Sequence, residues 1–180
     1  NCLMDDRAVG YALWLIPDEE NLASIQNKIV QLSSRCSTPE FPAHITLLSG
    51  LKGNEDNLKT STEDLARTID PFTITITRAG YRETYFRNLF IYVELIEELK
   101  NLREQAFSMF EHEELKEKTF MPHVSLLYGH LATEEKERIL MDIGHEFNMD
   151  CTIESLQLIK TEGRVENWEK VHTVQISEYN

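Results

Sequence analysis

The chain is poor in basic residues and has no long apolar run, and each shortage excludes a class of protein. Its 18 lysines and arginines stand against 31 acidic residues, a net charge of −13. This surplus repels long polyanions, so we expect neither duplex nucleic acid nor a membrane surface as a partner. No apolar run approaches the roughly 18 to 20 residues that span a bilayer, and the start carries no signal pattern. We therefore expect a soluble, cytoplasmic monomer with a small anionic ligand.

Cysteines and metal-ligand motifs are also scarce. The three cysteines have no CxxC spacing, so they predict buried free thiols rather than disulfides or a zinc site: Cys2, Cys36 and Cys151. Four histidines belong to no ligand pattern and are interpreted as surface or cap residues: His112, His130, His145 and His172. Nucleophile motifs and the phosphate-gripping GxxxxGK[ST] loop are missing. We expect no metal and no cofactor.

One ten-residue stretch occurs twice, 79 residues apart. Residues 41–50 read FPAHITLLSG and residues 120–129 read FMPHVSLLYG, with five identical positions. Both copies contain a histidine, a β-branched residue, a hydroxyl residue and a leucine in that order. The two copies predict two equivalent β-strands.

Strand and helix patterns repeat in the same order around these stretches. The first half has these elements: a strand at 8–16, a helix at 19–34, the first His strand, a helix at 55–69 and a strand at 72–77. The second half has these: a strand at 87–95, a helix from Leu99 to Phe110, the second His strand, a helix from Thr133 to Phe147 and a strand at 151–160. A last strand covers 168–176. The constant offset indicates an internal duplication within one α+β domain over 1–180, with halves at about 8–80 and 87–178.

Strand geometry predicts one cleft lined by both motifs. Residues two apart on a strand share a face, so His44 and Thr46 point together, and so do His123 and Ser125. Two imidazoles and two hydroxyls suit acid–base hydrolysis of a phosphodiester. One histidine takes a proton from water, the other protonates the leaving oxygen, and the hydroxyls stabilise charge on the phosphoryl oxygens.

These motifs resemble the 2H phosphoesterase superfamily, and most closely its plant and yeast type of cyclic phosphodiesterase, cytosolic enzymes of tRNA-splicing metabolism. The resemblance extends over most of the chain: residues 11–20, both His motifs, residues 131–136, 160–161 and 167–169. It implies a bilobal fold with two antiparallel sheets around a central cleft and helices outside. It also implies metal-independent hydrolysis of ADP-ribose 1″,2″-cyclic phosphate, and of nucleoside 2′,3′-cyclic phosphates to 2′-phosphates.

The resemblance assigns His44, Thr46, His123 and Ser125 to the catalytic tetrad. Residues that match substrate-binding positions of the family are Tyr128, Trp14, Tyr85 and Phe86. Strand alternation puts Tyr128 on the opposite face from His123 unless the strand bends there. In the first copy, Ala43 separates Pro42 from the histidine. By analogy, His123 is assigned as the base and His44 as the acid.

Two alternatives stay open. A member of the same superfamily acting on 2′,5′-oligoadenylate or RNA 3′ ends needs a basic rim, for which the candidates are Arg78, Arg82, Arg87 and Arg103. The other alternative is a non-catalytic nucleotide-binding module with the same fold. Such a module would bind nucleotides without turnover.

Overall fold

The computed structural model describes residues 6–116 and 119–176, so Cys2 lies outside the described part. Strands occupy these ranges: β1 Arg7–Ala8, β2 Tyr11–Pro17, β3 Ile45–Leu51, β4 Phe72–Tyr81, β5 Leu89–Val93, β6 His123–Leu127, β7 Glu146–Lys160, β8 Gly163–Arg164 and β9 Glu169–Gln175. Helices occupy these: α1 Glu19–Cys36, α2 Glu55–Ala66, α3 Glu97–Met109 and α4 Thr133–Ile143. Single 3₁₀ turns cover Tyr85–Arg87 and Val165–Asn167. The predicted α+β class is confirmed.

The order of elements follows the repeat read from the sequence. The first half runs β2, α1, β3, α2 and β4, and the second half runs β5, α3, β6, α4 and β7. The boundaries of the two halves, about 8–80 and 87–178, stay a prediction.

The last helix is shorter than the sequence predicts. α4 ends at Ile143, and Phe147 lies in β7 rather than in the helix. Gly144 follows the helix with φ +92°, a backbone angle that residues with a side chain rarely adopt, and this turn stops the helix. β7 therefore begins five residues before the predicted strand at 151–160 and runs for 15 residues.

The structure confirms the prediction of two antiparallel sheets. The long strand β7 belongs to both of them. Its first half pairs with β4, which continues to β5 and β6. Its second half pairs with β2 on one side and β9 on the other, and β2 continues to β3. β3 and β6 then pair through Ile45 and Val124, which closes the strands into a ring. A short pairing of β1 with β8 lies beside it.

The main core lies between this ring and the helices. α1, α2 and α3 pack their apolar sides against strands of both sheets. β2 is buried on both faces, because Leu13 and Leu15 enter the main core while Trp14 belongs to a second, smaller apolar cluster. This double burial explains why β2 reads as a continuous apolar run.

One buried ion pair fastens a loop to the end of β3. Arg103 of α3 contacts Glu114 at 3.0 Å and also donates a hydrogen bond to the Leu47 carbonyl. Glu114 in turn accepts a hydrogen bond from the Ser49 backbone N–H. The pair therefore connects a helix, a strand and a loop, with little exposure of either side chain.

We expect Glu114→Ala to lower the free energy of unfolding by about 3 kcal/mol, because Arg103 would keep a buried charge without its carboxylate. Urea denaturation followed by circular dichroism measures this change. The matched control is Asp64→Ala, which removes the carboxylate of the exposed Arg67–Asp64 pair and should change the value by less than about 1 kcal/mol. Equal, small changes in both variants would contradict the assigned importance of the buried pair.

Candidate active site

The pairing of β3 with β6 brings the two His motifs onto one face. Ile45 is opposite Val124 in an antiparallel register, so His44 lies level with Ser125, and Thr46 lies level with His123. Ile45 and Val124 are fully buried in the core. Residues directly opposite in antiparallel strands share a face, so the four polar side chains form a square on the other face. All four line one cleft, as predicted.

Both imidazoles are held in the same tautomer. Nδ1 of His44 lies 2.7 Å from the carbonyl oxygen of Pro42, and Nδ1 of His123 lies 2.8 Å from that of Met121. A carbonyl oxygen only accepts hydrogen bonds, so each Nδ1 carries a proton, and Nε2 is the ring nitrogen at which proton exchange can take place. In both motifs the acceptor is the carbonyl two residues before the histidine, so the two copies share this hydrogen bond as well.

His44 is enclosed by aromatic rings. It is 4% exposed, and the Trp14 ring stacks on it with centroids 3.5 Å apart and planes only 6° apart. Burial lowers the pKa of His44 to about 3, the Pro42 carbonyl acts in the opposite direction, and His123 adds to the lowering. In the free protein, His44 is therefore a neutral imidazole with a lone pair on Nε2.

His123 has a different environment. It is half-buried, and the neighbouring ring of Phe90 is tilted by 58° with centroids 5.1 Å apart. Trp14 pairs with Thr46 across β2 and β3, and Phe90 pairs with the equivalent Ser125 across β5 and β6. The two aromatic residues are thus structural counterparts, but only Trp14 covers its histidine face to face.

Tyr128 lies in the cleft, although strand alternation predicts the opposite face. β6 ends at Leu127, so alternation no longer fixes the direction of the next side chain. The Tyr128 ring stacks on Phe41 with centroids 3.8 Å apart. Burial raises the pKa of its hydroxyl, and a hydrogen bond with Ser125 acts in the opposite direction. Tyr128 therefore supports one of the two motif hydroxyls.

The Ser125 hydroxyl has a further partner in a neighbouring turn. It donates a hydrogen bond of 3.3 Å to the Phe86 carbonyl, while Thr46 is half-buried at the cleft surface. Tyr85 and Phe86, both assigned by resemblance, line the cleft from this turn. Trp14 also lines it, but His44 covers one face of its ring, so that face is closed to a substrate base.

The cleft is large and has an aromatic wall. It has a volume of about 870 Å³. The sequence analysis missed Trp168, which packs against Trp14, Phe86 and Tyr128 with centroids 5.7 to 6.1 Å apart. Residues 167–169 match the family in sequence, but this match assigned no function to Trp168. Phe90 was missed as well, because it reads as an ordinary core residue of a strand.

In the part of the chain that the structure describes, the remaining histidines, cysteines and helices add no second site. Within residues 6–116 and 119–176, no cluster of three or more His, Cys, Asp or Glu could hold a metal ion. His112, His145 and His172 contact a backbone carbonyl or a carboxylate, whereas His130 lies at the cleft beside Tyr85. Cys151 is buried, which raises the pKa of its thiol to about 12, and Cys36 is half-buried. None of the described helices is long and apolar enough to cross a membrane.

Two HxT/S motifs on adjacent strands of a duplicated antiparallel fold define a 2H phosphoesterase. The chain belongs to the cyclic phosphodiesterase-like protein family, whose model matches residues 9–176. The cyclic phosphodiesterase of Arabidopsis thaliana is 25% identical over 171 residues, which cover 89% of this chain and 92% of that protein. The expected class of enzyme, a phosphodiesterase, is confirmed at this level.

Solved structures share the fold. TT0787 of Thermus thermophilus superposes with a TM-score of 0.66 at 16% identity, over 96% of this chain and all of that one. LigT of E. coli, crystallised with 3′-AMP, gives a TM-score of 0.57 at 16% identity, over 93% of this chain and 98% of that one. LigT has also been crystallised with NADP⁺, with a TM-score of 0.56 at 15% identity, over 95% and 99% of the two chains.

We expect His44 to stay neutral, with its proton on Nδ1, down to about pH 4 in ¹⁵N NMR spectra, because the pKa is about 3. The spectrum of His44→Gln identifies the signal. The unfolded chain takes up this proton near pH 6.5 and the folded chain only near 3, so His44 destabilises the fold increasingly as pH falls between these values. A titration midpoint close to 6.5 would contradict the enclosed environment described for His44.

Proposed function

We propose that this protein hydrolyses cyclic phosphodiesters of nucleotides. The substrates are nucleoside 2′,3′-cyclic phosphates, opened to 2′-phosphates, and ADP-ribose 1″,2″-cyclic phosphate, opened to ADP-ribose 1″-phosphate. The observation that carries the proposal is the pair of imidazoles, each held at Nδ1 by a backbone carbonyl and each level with a hydroxyl on the neighbouring strand. A phosphodiester needs one proton acceptor and one proton donor on its two sides.

In the proposed reaction, water attacks phosphorus while one Nε2 removes its proton. The bond from phosphorus to the 3′ oxygen breaks, and the other Nε2–H protonates that oxygen, which leaves a 2′-phosphate. For the ADP-ribose substrate the departing atom is the 2″ oxygen. One proton is taken and one is given, so the two histidines exchange protonation states, and solvent restores them before the next turnover.

On the ground of burial, we propose the reverse of the acid and base assignment that the sequence analysis made by analogy. With a pKa near 3, only about one His44 imidazole in 10⁴ carries a proton at pH 7, which makes it a poor starting acid. A neutral His44 with a free Nε2 lone pair is ready to accept a proton. His44 is therefore proposed as the base, and the half-buried His123 as the acid.

The surroundings of His44 also suit a base that becomes charged in the transition state. A cation over the face of a tryptophan ring is stabilised, and the Trp14 ring lies parallel to the imidazole at 3.5 Å. The hydrogen bond to the Pro42 carbonyl strengthens when its donor becomes an imidazolium. Both contacts therefore gain strength as the proton arrives.

Thr46 and Ser125 are proposed to hold the phosphoryl oxygens. Each hydroxyl lies level with a histidine across the β3–β6 pair, so both kinds of group reach one phosphate. Ser125 donates to the Phe86 carbonyl in the free protein, and it would turn that hydrogen to the phosphoryl oxygen on binding. Charge grows on these oxygens in the transition state, where such donors contribute most.

The size of the cleft supports both proposed substrates. A volume of about 870 Å³ is near the upper end of ordinary small-ligand pockets, so it admits a mononucleotide or an ADP-ribose group. Aromatic rings of Tyr85, Phe86 and Trp168 offer surfaces for a base or ribose. LigT, which shares the fold, has been crystallised with 3′-AMP and with NADP⁺, ligands of these two sizes.

The oligoadenylate alternative has less support. Its rim of arginines is not assembled: Arg103 pairs with Glu114, and Arg78 and Arg82 lie over the rings of Tyr92 and Phe90. Arg87 and Arg103 both line the cleft, but Arg103 is paired with Glu114, which leaves Arg87 of the four candidates to serve one phosphate. The resemblance to the plant and yeast type of cyclic phosphodiesterase also leads us to propose a role in RNA metabolism in the cytoplasm. We expect the protein to be a monomer.

We expect hydrolysis of 2′,3′-cyclic AMP to proceed at an unchanged rate in excess EDTA, because the proposed acid, base and oxyanion donors are all side chains of this chain. Phosphate-monoester formation followed by ³¹P NMR measures the rate and identifies the isomer. ADP-ribose 1″,2″-cyclic phosphate is assayed in parallel. Loss of activity in EDTA that returns with a divalent ion would overturn metal independence, and tight nucleotide binding without turnover would indicate the non-catalytic module.

We expect His44→Ala and His123→Ala each to lower turnover by about 10² to 10⁴ with an unchanged circular dichroism spectrum. Thr46→Val and Ser125→Ala should lower turnover by up to about 10² to 10³, since each removes one donor to the charged oxygens. His172→Ala is the matched control. His172 lies on β9 outside the cleft, where it pairs with Glu63 of α2. Full activity in either of the first two variants would exclude the two-histidine mechanism.

A substrate with a good leaving group separates acid from base. An aryl phosphodiester needs little help from a proton donor, so His123→Ala should regain activity on it while His44→Ala should not. The opposite pattern would restore the assignment made from the sequence.

A further inference from the structure

A turn beside β6 forms one wall of the cleft. Residues 83–87 of this turn all line the cleft, including Tyr85 and Phe86. Two hydrogen bonds tie the turn to the strand of His123: Ser125 donates to the Phe86 carbonyl, and the Gly129 N–H donates to the Tyr85 carbonyl. In the free protein, the position of this turn therefore sets the orientation of a candidate catalytic hydroxyl.

A buried lysine lies behind the turn. Lys136 of α4 is only 1% exposed, and its Nζ donates a 3.0 Å hydrogen bond to the carbonyl oxygen of Arg82, where the turn begins. The Tyr81 ring lies 5.0 Å from the same Nζ. In the described part of the chain, Lys136 forms no ion pair with a carboxylate within 4.0 Å. Its ammonium group is thus held by one carbonyl dipole and one aromatic face.

Burial of the Lys136 ammonium group without a carboxylate partner lowers the stability of the folded state. Burial lowers the pKa of Lys136, with Glu83 acting weakly in the opposite direction. A lysine that served only packing would be replaced without loss by an apolar residue of similar length, because an unpaired buried ammonium group destabilises a fold. The hydrogen bond to the turn is the specific contact that an apolar residue cannot make.

A second buried polar side chain acts on the same carbonyl. Asn88, at the other end of the turn, donates to the Arg82 oxygen and accepts a hydrogen bond from the Leu131 N–H just before α4. The Arg82 N–H also donates to the Arg87 carbonyl, which closes the turn on itself. The Arg82 carbonyl therefore accepts hydrogen bonds from Lys136 of α4 and from Asn88, and both bonds hold the turn that forms the cleft wall.

We propose that Lys136 is a positioning residue, which acts through the 82–88 turn on Ser125 and on the aromatic wall of the cleft. The inference rests on the proposed function for its effect on turnover. Its effect on the turn is independent of any activity. A displacement of a supporting element by about 1 Å is enough to lower turnover substantially in a preorganised site.

The test variant is Lys136→Met, which keeps the length of the side chain and removes the donor and the charge. We expect kcat/KM for 2′,3′-cyclic AMP to fall about tenfold or more through misplacement of the turn. The thermal midpoint should stay constant or rise, because an unpaired buried charge is removed. Arg138→Met is the matched control, since it removes a cation from a less buried position two residues further along α4. It should leave kcat/KM and the midpoint unchanged.

Two further measurements separate positioning from general packing. Backbone amide exchange in residues 82–88 should quicken in Lys136→Met while exchange in β2 and β7 stays unchanged. The Lys136→Met and Ser125→Ala double variant should lose little more activity than Ser125→Ala alone, because both changes act through one connection. If Lys136→Met does not fold, Lys136→Leu, which also lacks a hydrogen-bond donor, replaces it in each comparison.

The outcomes are distinct. Unchanged amide exchange in the 82–88 turn, or additive effects of the two substitutions, would overturn the positioning role. Wild-type protein without turnover of any cyclic phosphate would instead overturn the proposed function, and amide exchange would still decide whether Lys136 orders the turn.

Discussion

The antiparallel pairing of Ile45 with Val124 is the constraint on which the candidate site depends. These residues hold equivalent positions in the two ten-residue motifs, so each motif pairs with its own copy. Both are fully buried, which pins the register, because a slip of one residue would turn every polar side chain into the core. The pairing that closes the ring of strands therefore also brings the two histidines and two hydroxyls together.

The duplication supplies two equivalent histidines, and the neighbouring strands make them different. Trp14 on β2 covers His44 face to face, whereas its counterpart Phe90 on β5 leaves His123 partly exposed. Burial favours the neutral form of an imidazole, and it lowers the pKa of His44, the more enclosed of the two histidines. The proposed division of acid and base between the two histidines relies on this difference in enclosure, which comes from aromatic packing.

The sequence could predict the part of this site that is local. Motif spacing, strand alternation and a constant offset were enough for the order of elements and for the shared face of the four tetrad residues. Tyr128 was predicted less well, because alternation fails where β6 ends at Leu127. The unequal cover of the two histidines and the burial of Lys136 depend on contacts between segments far apart in the chain, and periodicity carries no information about these. The early start of β7 was missed because a single glycine ended the preceding helix.

Net charge and site chemistry fit together in this protein. A chain with a net charge of −13 holds an anionic substrate poorly through long-range attraction, so recognition must come from short contacts inside the cleft. Hydrogen-bond donors of the tetrad and Arg87 offer such contacts, whereas Arg103 is neutralised by Glu114 nearby. Hydrolysis of a cyclic diester raises the charge of the phosphate from about −1 toward −2 at neutral pH, as for other phosphate monoesters. In the proposed reaction the product carries more negative charge than the substrate, so repulsion by the acidic chain would favour product release.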